Sequence, residues 1–542
     1  MAATAVSDSR RGGPPEDAAF VRKASGLVKA GSPFRVFAMT VTNQGLGAFM
    51  ATFFLYGVGA FPRSNMLLAL VLCGVFLTVF NVAYGLLAAT YPRSGGEYVF
   101  LSRILHPVVG FVSNFGAYIA FCFFSATGGY LAFTLALSPA LQALGVITDH
   151  SWITSVGTWL GDNDHAWLCG SILLVLAAIL VSFGTSVYYR FQSVVWWVGW
   201  IGFGTMILVL LLTSRDTFIR GFNDYVATTG GGSDGYARTL AAAKENGLPT
   251  GYALKDTLGM FAVATSVSAA GAYMGGEVRT PLRTQIIGGG GGGLFFSLIV
   301  IVLGLLVSKT VGLDFNRAAT YLAVQHPDEF VADQSPVFTW FAFLCTSSPV
   351  ILVVMCVGIV LFTAILVPQQ IMYPTRMLFA WSFDRMVPGW MSDVSPKSGV
   401  PVKATIVVLL TCEALLALYG SGQITFINPI LIVGVVWGII ALAAILFPFM
   451  PRSRDTFESS RINHRVLGVP LISVAGVVGL IFFAVGQWIA YTSDTLGANQ
   501  GSNVRIALTV FAFAIVYYVA TRAFRARQGV NMNATFAELP PD

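Results

Sequence analysis

Long apolar stretches recur along the chain, among them 67–89, 167–188, 294–307, 349–367, 405–418 and 471–490. A bilayer core roughly 30 Å thick takes about 20 apolar residues per helix. The pattern therefore predicts membrane-spanning helices. Twelve are placed, at 36–60, 66–91, 108–137, 167–188, 193–213, 256–276, 286–308, 347–372, 403–420, 425–448, 466–491 and 504–522. They are called spans 1 to 12 below. An even number puts both termini on one side.

Composition agrees. Hydrophobic residues make up 56% of 542 and charged residues 10%, where a soluble protein carries about 25% charged residues. Residues 1–35 are polar and basic and lack the apolar core of a signal peptide. They read as a disordered cytoplasmic arm, and 523–542 as a cytoplasmic tail. With the N-terminus in the cytoplasm, 22 of the 31 Lys and Arg fall on the cytoplasmic side and 9 outside, five of these in the long loop 214–255. The positive-inside rule supports that orientation, in a plasma membrane. Basic loops facing anionic lipid account for the net charge of +6, which then carries no implication of nucleic acid. The six cysteines lie in or beside apolar segments without metal-ligand spacing, so free thiols are expected.

The spacing divides spans 1–5 (36–213) and 6–10 (256–448) into two blocks of five, the second inverted, with two further spans in 466–522. The first span of each block is interrupted by glycine and small polar residues. Span 1 contains Thr42-Asn43-Gln44-Gly45-Leu46-Gly47-Ala48, and span 6 Thr265-Ser266-Val267-Ser268-Ala269-Ala270-Gly271. Such interruptions at matching places in two halves point to a transporter's binding site. A break inside the membrane leaves backbone groups that protein, water or ligand must satisfy. N–H ends favour an anion and C=O ends a cation, so two opposed breaks suit a zwitterion such as an amino acid. Taken alone, the same glycines read more readily as helix-packing residues, and only their matching positions in both halves bring the two readings level.

Flanking motifs carry a family resemblance. Tyr91-Pro92-Arg93-Ser94-Gly95-Gly96-Glu97-Tyr98 resembles the P-x-S-G-G-x-Y signature of the amino acid–polyamine–organocation (APC) permeases, with Tyr84 eight residues before Pro92. Glu277-Val278-Arg279-Thr280-Pro281 resembles the E-V-x-x-P that ends the family's sixth helix. Pro374-Thr375-Arg376-Met377 and Asp384-Arg385-Met386-Val387-Pro388 are similar to its R-x-x-x-A-x-x-x-D-G-x-x-P run. The resemblance covers about residues 30–525. It implies an all-α membrane protein with a LeuT-type 5+5 inverted repeat plus two helices, transporting amino acids or related amines. Carried over by position, the breaks fall at 43–49 and 266–271. This chain departs from the family in reading Gly45-Leu46-Gly47-Ala48-Phe49 where G-[ST]-G-I is usual. It also has Val267-Ser268-Ala269 in place of an aromatic gate. Some proton-coupled members carry a lysine in span 5; here 191–213 has none, and Gly199 falls near its place.

The expected substrate contacts are Asn43, Gln44, Gly45, Gly47, Ala48, Phe49, Ser266, Ser268, Ala269 and Gly271. The carboxylate would meet N–H groups near Gly45–Phe49, and the ammonium would meet carbonyls near Thr42–Gln44 and 266–268. Arg93, Gly95, Gly96, Glu97, Tyr98, Glu277, Arg279, Arg376 and Asp384 form the expected cytoplasmic gate. Ion pairs among Glu277, Arg279, Arg283, Arg93 and Glu97 are one reading of that cluster, and a solvated loop face is the other. Glu413, acidic within a span, reads either as a titrating transport group or as a neutral structural glutamate. The glycine run 288–293 reads as close packing before hinge. No histidine pair, nucleophile setting or phosphate loop points to an enzyme or a cofactor. Coupling to H⁺ or Na⁺ stays open, as does oligomeric state. A nucleobase or other organic-cation permease of the same fold, and a transporter-like sensor, are the alternatives.

Overall fold

The computed structural model describes residues 30–47, 53–264, 270–530, 532 and 536. Among them, ten helices are long and apolar enough to cross a membrane. They match ten of the twelve expected spans, as an all-α membrane protein requires, and local capping explains several starts. Asn65 accepts the N–H of Leu68 at 3.1 Å to open Met66–Thr90. His106 accepts from Val108, with Pro107 in the first turn, to open Pro107–Thr148. Ser348 and Pro349 do the same for Pro349–Phe383. In each case a side-chain oxygen or nitrogen satisfies a donor that the first turn leaves unpaired.

The other two expected spans are not continuous helices among the described residues. Span 1 is helical over Pro33–Asn43 and again over Phe53–Gly57 and Val58–Ala60. Span 6 is helical over Leu254–Gly259, tightens over Met260–Ala262, and is helical again over Ala270–Tyr273.

Some boundaries differ from the sequence expectation. Spans 4 and 5 meet at Gly184, between Asn163–Ser182 and Thr185–Leu212, whereas 189–192 was the expected junction. Gly184 has φ +112°, and a Cβ there would lie 2.5 Å from the Ser398 carbonyl, so glycine alone makes this turn easily. It sits in the short stretch Ser182-Phe183-Gly184-Thr185-Ser186 between two longer apolar runs. Span 8, expected to end at 372, continues to Phe383 through Pro374. Arg376 therefore lies inside a membrane helix and not in a loop. Span 3 runs on from Leu131 through a wider-wound segment, Ala132–Leu137, to Thr148. Loop 214–255 contains two helices, Arg215–Thr228 and Gly235–Glu245.

Two glycines of the run, Gly288 and Gly292, pack span 7 against span 1. A Cβ on Gly288 would lie 2.6 Å from Val36, and one on Gly292 2.8 Å from Thr40. Contacts this close need residues without side chains, as the packing reading anticipated.

Candidate functional site

The first interruption ends a helix against span 8. After Asn43 the N–H of Gln44 turns back to the Thr40 carbonyl (3.1 Å) and that of Gly45 to Thr42 (3.1 Å). Gly45 has φ +87°, the left-handed region that glycine enters freely. Gly47 lies directly on span 8: a Cβ there would fall 2.0 Å from Thr363 Oγ1 and 2.9 Å from the Thr363 nitrogen. The Gln369 amide donates to Thr42 Oγ1 at 2.6 Å, and the Gln370 amide to Asn43 Oδ1 at 2.9 Å. Gln44 is buried beside them. Gly271, expected in the second interruption, lies instead in the helix Ala270–Tyr273 and faces Gln285, whose Oε1 would be 2.2 Å from a Cβ. Ala48, Phe49, Ser266, Ser268 and Ala269 lie outside the described residues. The sequence reading did not single out Gln369 and Gln370. The available signal was two adjacent amides inside an apolar span, where polar side chains are expensive and tend to be functional.

Below the interruptions the signature motif ties four spans together. Gly95 (φ +117°) and Gly96 (φ +66°) bend the chain so tightly that a Cβ would lie 2.5 Å from Ala380 or 2.1 Å from the Tyr273 ring, respectively. This bend delivers Glu97 into the bundle, fully buried. Its carboxylate accepts from Asn114 Nδ2 at 2.7 Å, from Tyr84 at 3.3 Å and from the Tyr273 hydroxyl. Burial pushes the Glu97 carboxyl above the usual carboxylate range, while those three hydrogen bonds pull the other way without cancelling it. Asn114 accepts in turn from Trp381 Nε1 at 2.8 Å. Tyr98 donates to Asp384 Oδ2 at 2.8 Å, with Arg103 at 3.4 Å from the same oxygen.

The expected ion-pair cluster is redistributed. Glu277 meets Arg376, with Nε at 2.8 Å, and Thr185 donates to the same carboxylate at 2.7 Å. Arg279 and Arg283 are exposed, and Arg93 is half-buried with Nη1 on the Pro92 carbonyl at 3.2 Å. Glu97 is held by neutral donors. Span 8 is the common partner: Thr363, Gln370, Tyr373, Arg376, Ala380 and Asp384 follow one another at helical spacing and meet, in order, Gly47, Asn43, Tyr273, Glu277, Gly95 and Tyr98.

At the opposite end of the bundle is a cavity of about 660 Å³, whose lining includes Tyr56, Tyr130, Tyr419, Phe426 and Asn503. It also reaches Phe53 and Val263, which flank the two interruptions. A second, of about 480 Å³, shares Tyr56, Tyr130, Tyr419 and Phe426. Glu413 lies away from both and accepts from Ser171 on span 4 at 2.8 Å. Gly199 sits under Phe362, whose ring would be 2.4 Å from a Cβ, so no longer side chain fits there. Among the described residues no group of His, Cys, Asp or Glu could hold a metal ion.

A family model described as amino acid permease matches residues 32–514 of this sequence. That range takes in both interruptions, the signature motif and all of span 8. No curated relative matches.

Proposed function

Because the chain belongs to the amino acid permease family of the APC superfamily, we propose that it carries an amino acid or related amine across the plasma membrane by alternating access. The carrying observation is that the helix Pro33–Asn43 stops inside the protein, with its C-terminal end held by Gln369 and Gln370. Such an end presents carbonyl oxygens to a cationic group. The cavity that reaches Phe53 and Val263 offers a route to the interruptions from one side. On the other side the Gly95–Glu97 turn, the Glu277–Arg376 pair and the Tyr98–Asp384 contact are packed shut.

With both termini in the cytoplasm, the closed end faces inward and the cavity outward. Repeats 36–213 and 256–448 rock against each other, and 466–522 is added outside them. The substrate carboxylate meets the backbone around Gly45, Gly47, Ala48 and Phe49, and Ser266, Ser268, Ala269 and Gly271 close over it. The contact between Gly199 and Phe362 favours a coupling route other than a span-5 lysine.

Uptake into proteoliposomes tests this, with a panel of amino acids, amines and nucleobases, with and without Na⁺ and a pH gradient. Saturable uptake of at least one amino acid or amine is expected. Nucleobase uptake without amino-acid uptake would overturn the proposal. So would ligand binding with no uptake at all, which is the behaviour of a sensor.

A further inference from the structure

We propose that the hairpin Arg465–Pro470, together with the arginines just before it, is a docking surface for anionic phospholipid. The inference goes beyond the permease reading above and does not depend on it.

The expected span 11 starts at 466, whereas its helix begins at Leu471. Residues 465–470 turn back as a two-stranded hairpin, with Val466 opposite Val469 and Arg465 opposite Pro470. Successive residues of a strand point to opposite faces, and here the two faces differ. On one, Pro470 is buried, and Arg465 pairs with Glu458 and lays its guanidinium over the Phe457 ring at 5.7 Å. That face is tied to the short helix Arg454–Ser459. On the other, Val466 and Val469 are 55% and 49% exposed, and Leu467 at the tip is 99% exposed. Leu467 has φ +51°, a turn position where glycine and asparagine are usual and a bulky aliphatic residue is rare. So exposed, it adds no packing to the fold, and water gives it no partner.

Reach, continuity and charge identify what covers it. The Leu471 N–H donates to the His464 carbonyl at 2.9 Å and pins the base of the hairpin to the start of span 11. Leu467 is four residues from Leu471, at most about 14 Å away. The headgroup layer is about 5–8 Å thick on each side of a bilayer, so the tip stays beside the membrane surface. The apolar edge also continues the outward stripe of span 11, where Leu471, Val474, Val477 and Ile481 are exposed at helical spacing. Arg452, Arg454 and Arg461 are exposed and form no ion pair among the described residues. With Arg465 they outnumber Asp455 and Glu458 by four to two across 447–470. Basic residues beside an apolar tip suit a layer of phosphate-bearing headgroups. A second copy of the chain suits it less, because a two-fold contact would bring the same arginines together. In the orientation proposed above, this loop faces the anionic cytoplasmic leaflet.

The test uses purified full-length protein, one copy per nanodisc, in phosphatidylcholine alone or with added phosphatidylglycerol of the same acyl chains. A nitroxide spin label is placed on Val469→Cys, and separately on Val466→Cys as an independent position. The unmodified chain is labelled in parallel to subtract its native cysteines. Access to oxygen, which concentrates in the bilayer, is compared with access to a neutral nickel chelate, which stays in water. Nanodiscs expose both faces, so the result does not depend on orientation.

In anionic discs the label is expected to gain oxygen access and lose nickel access. At about 1 M salt, where the screening length falls to about 3 Å, nickel access should return. Each arginine near an anionic surface corresponds to about fivefold in partitioning. The combined variant Arg452→Gln, Arg454→Gln and Arg461→Gln should therefore keep the label in water in both kinds of disc. Leu467→Asn, which suits the turn, should keep the melting temperature in detergent and weaken docking. Equal nickel access in anionic and neutral discs would overturn the proposal. So would docking by the folded arginine variant that matches the parent. Protection that appears only with two copies per disc would assign the surface to self-association and also overturn it. None of these outcomes bears on uptake, so the permease reading stands or falls separately.

Discussion

Arg376 and Glu277 meet at 2.8 Å with neither side chain exposed, an ion pair formed between span 8 and the segment that follows the second interruption. Removing one partner of a buried pair leaves an uncompensated charge and costs about 3–5 kcal/mol, whereas replacing both by apolar groups is often nearly neutral. Arg376→Met and Glu277→Leu should each lower the melting temperature of the purified protein sharply. The combined change should recover much of the loss. A double variant no more stable than the worse single one would show that the pair is not the unit of stability.

Gly95 and Gly96 separate two effects that a single substitution confounds. Gly95→Ala adds a methyl 2.5 Å from the Ala380 Cβ in a backbone with φ +117°. Ala380→Gly should relieve the steric part and leave the backbone strain, which is on the order of 1–3 kcal/mol. Partial rescue of thermal stability is therefore expected. Gly96→Ala meets the Tyr273 ring at 2.1 Å and should not be rescued by Ala380→Gly. Full rescue at position 95 would mean that φ contributes little.

Gly47 and Gly271 should differ in the same kind of test. At Gly47 the added methyl meets Thr363 backbone at 2.9 Å as well as its side chain. Overpacking of this type costs about 1–3 kcal/mol, and Thr363→Ala should not restore uptake. At Gly271 the three nearest atoms all belong to the end of the Gln285 side chain. Gly271→Ala with Gln285→Ala should therefore transport better than Gly271→Ala alone. Equal behaviour at the two sites would argue against these contacts.

Glu97 makes stability depend on pH. Burial raises its carboxyl in the folded protein, while the unfolded value is about 4.3. The folded state thus holds the proton more tightly. This contribution is fully present below about pH 4 and is lost as pH rises through the window up to the raised folded value. Glu97→Gln stays neutral throughout. Its melting temperature relative to wild type should climb across that window and then level off. A difference that is flat or falls with pH would contradict the assignment.

Ten spans were legible from hydropathy alone, because span length and apolar content are local properties that the bilayer thickness fixes. The end of the first helix at Asn43 falls where glycine and small polar residues begin, while 266–269 of the second expected break lie outside the described residues. Gly184 was missed because hydropathy read over a span's length averages out a stretch as short as Ser182-Phe183-Gly184-Thr185-Ser186, although its small polar residues are themselves a turn signal. The end of span 8 was missed because Pro374 reads as a stop in water, while inside a packed bundle neighbouring groups let the helix continue.

The sequence by itself determined that this chain is a multi-span membrane protein, and its motifs pointed to the family. The tertiary structure decided which polar groups face one another. Arg376 reaches Glu277 across 99 positions, and Gln369 reaches Thr42 across 327. Charge and motif spacing had grouped Glu277 with nearby arginines. Inside a bundle with little water, a polar group takes whichever partner helix packing brings within about 3 Å, and separation along the chain has no bearing on that choice.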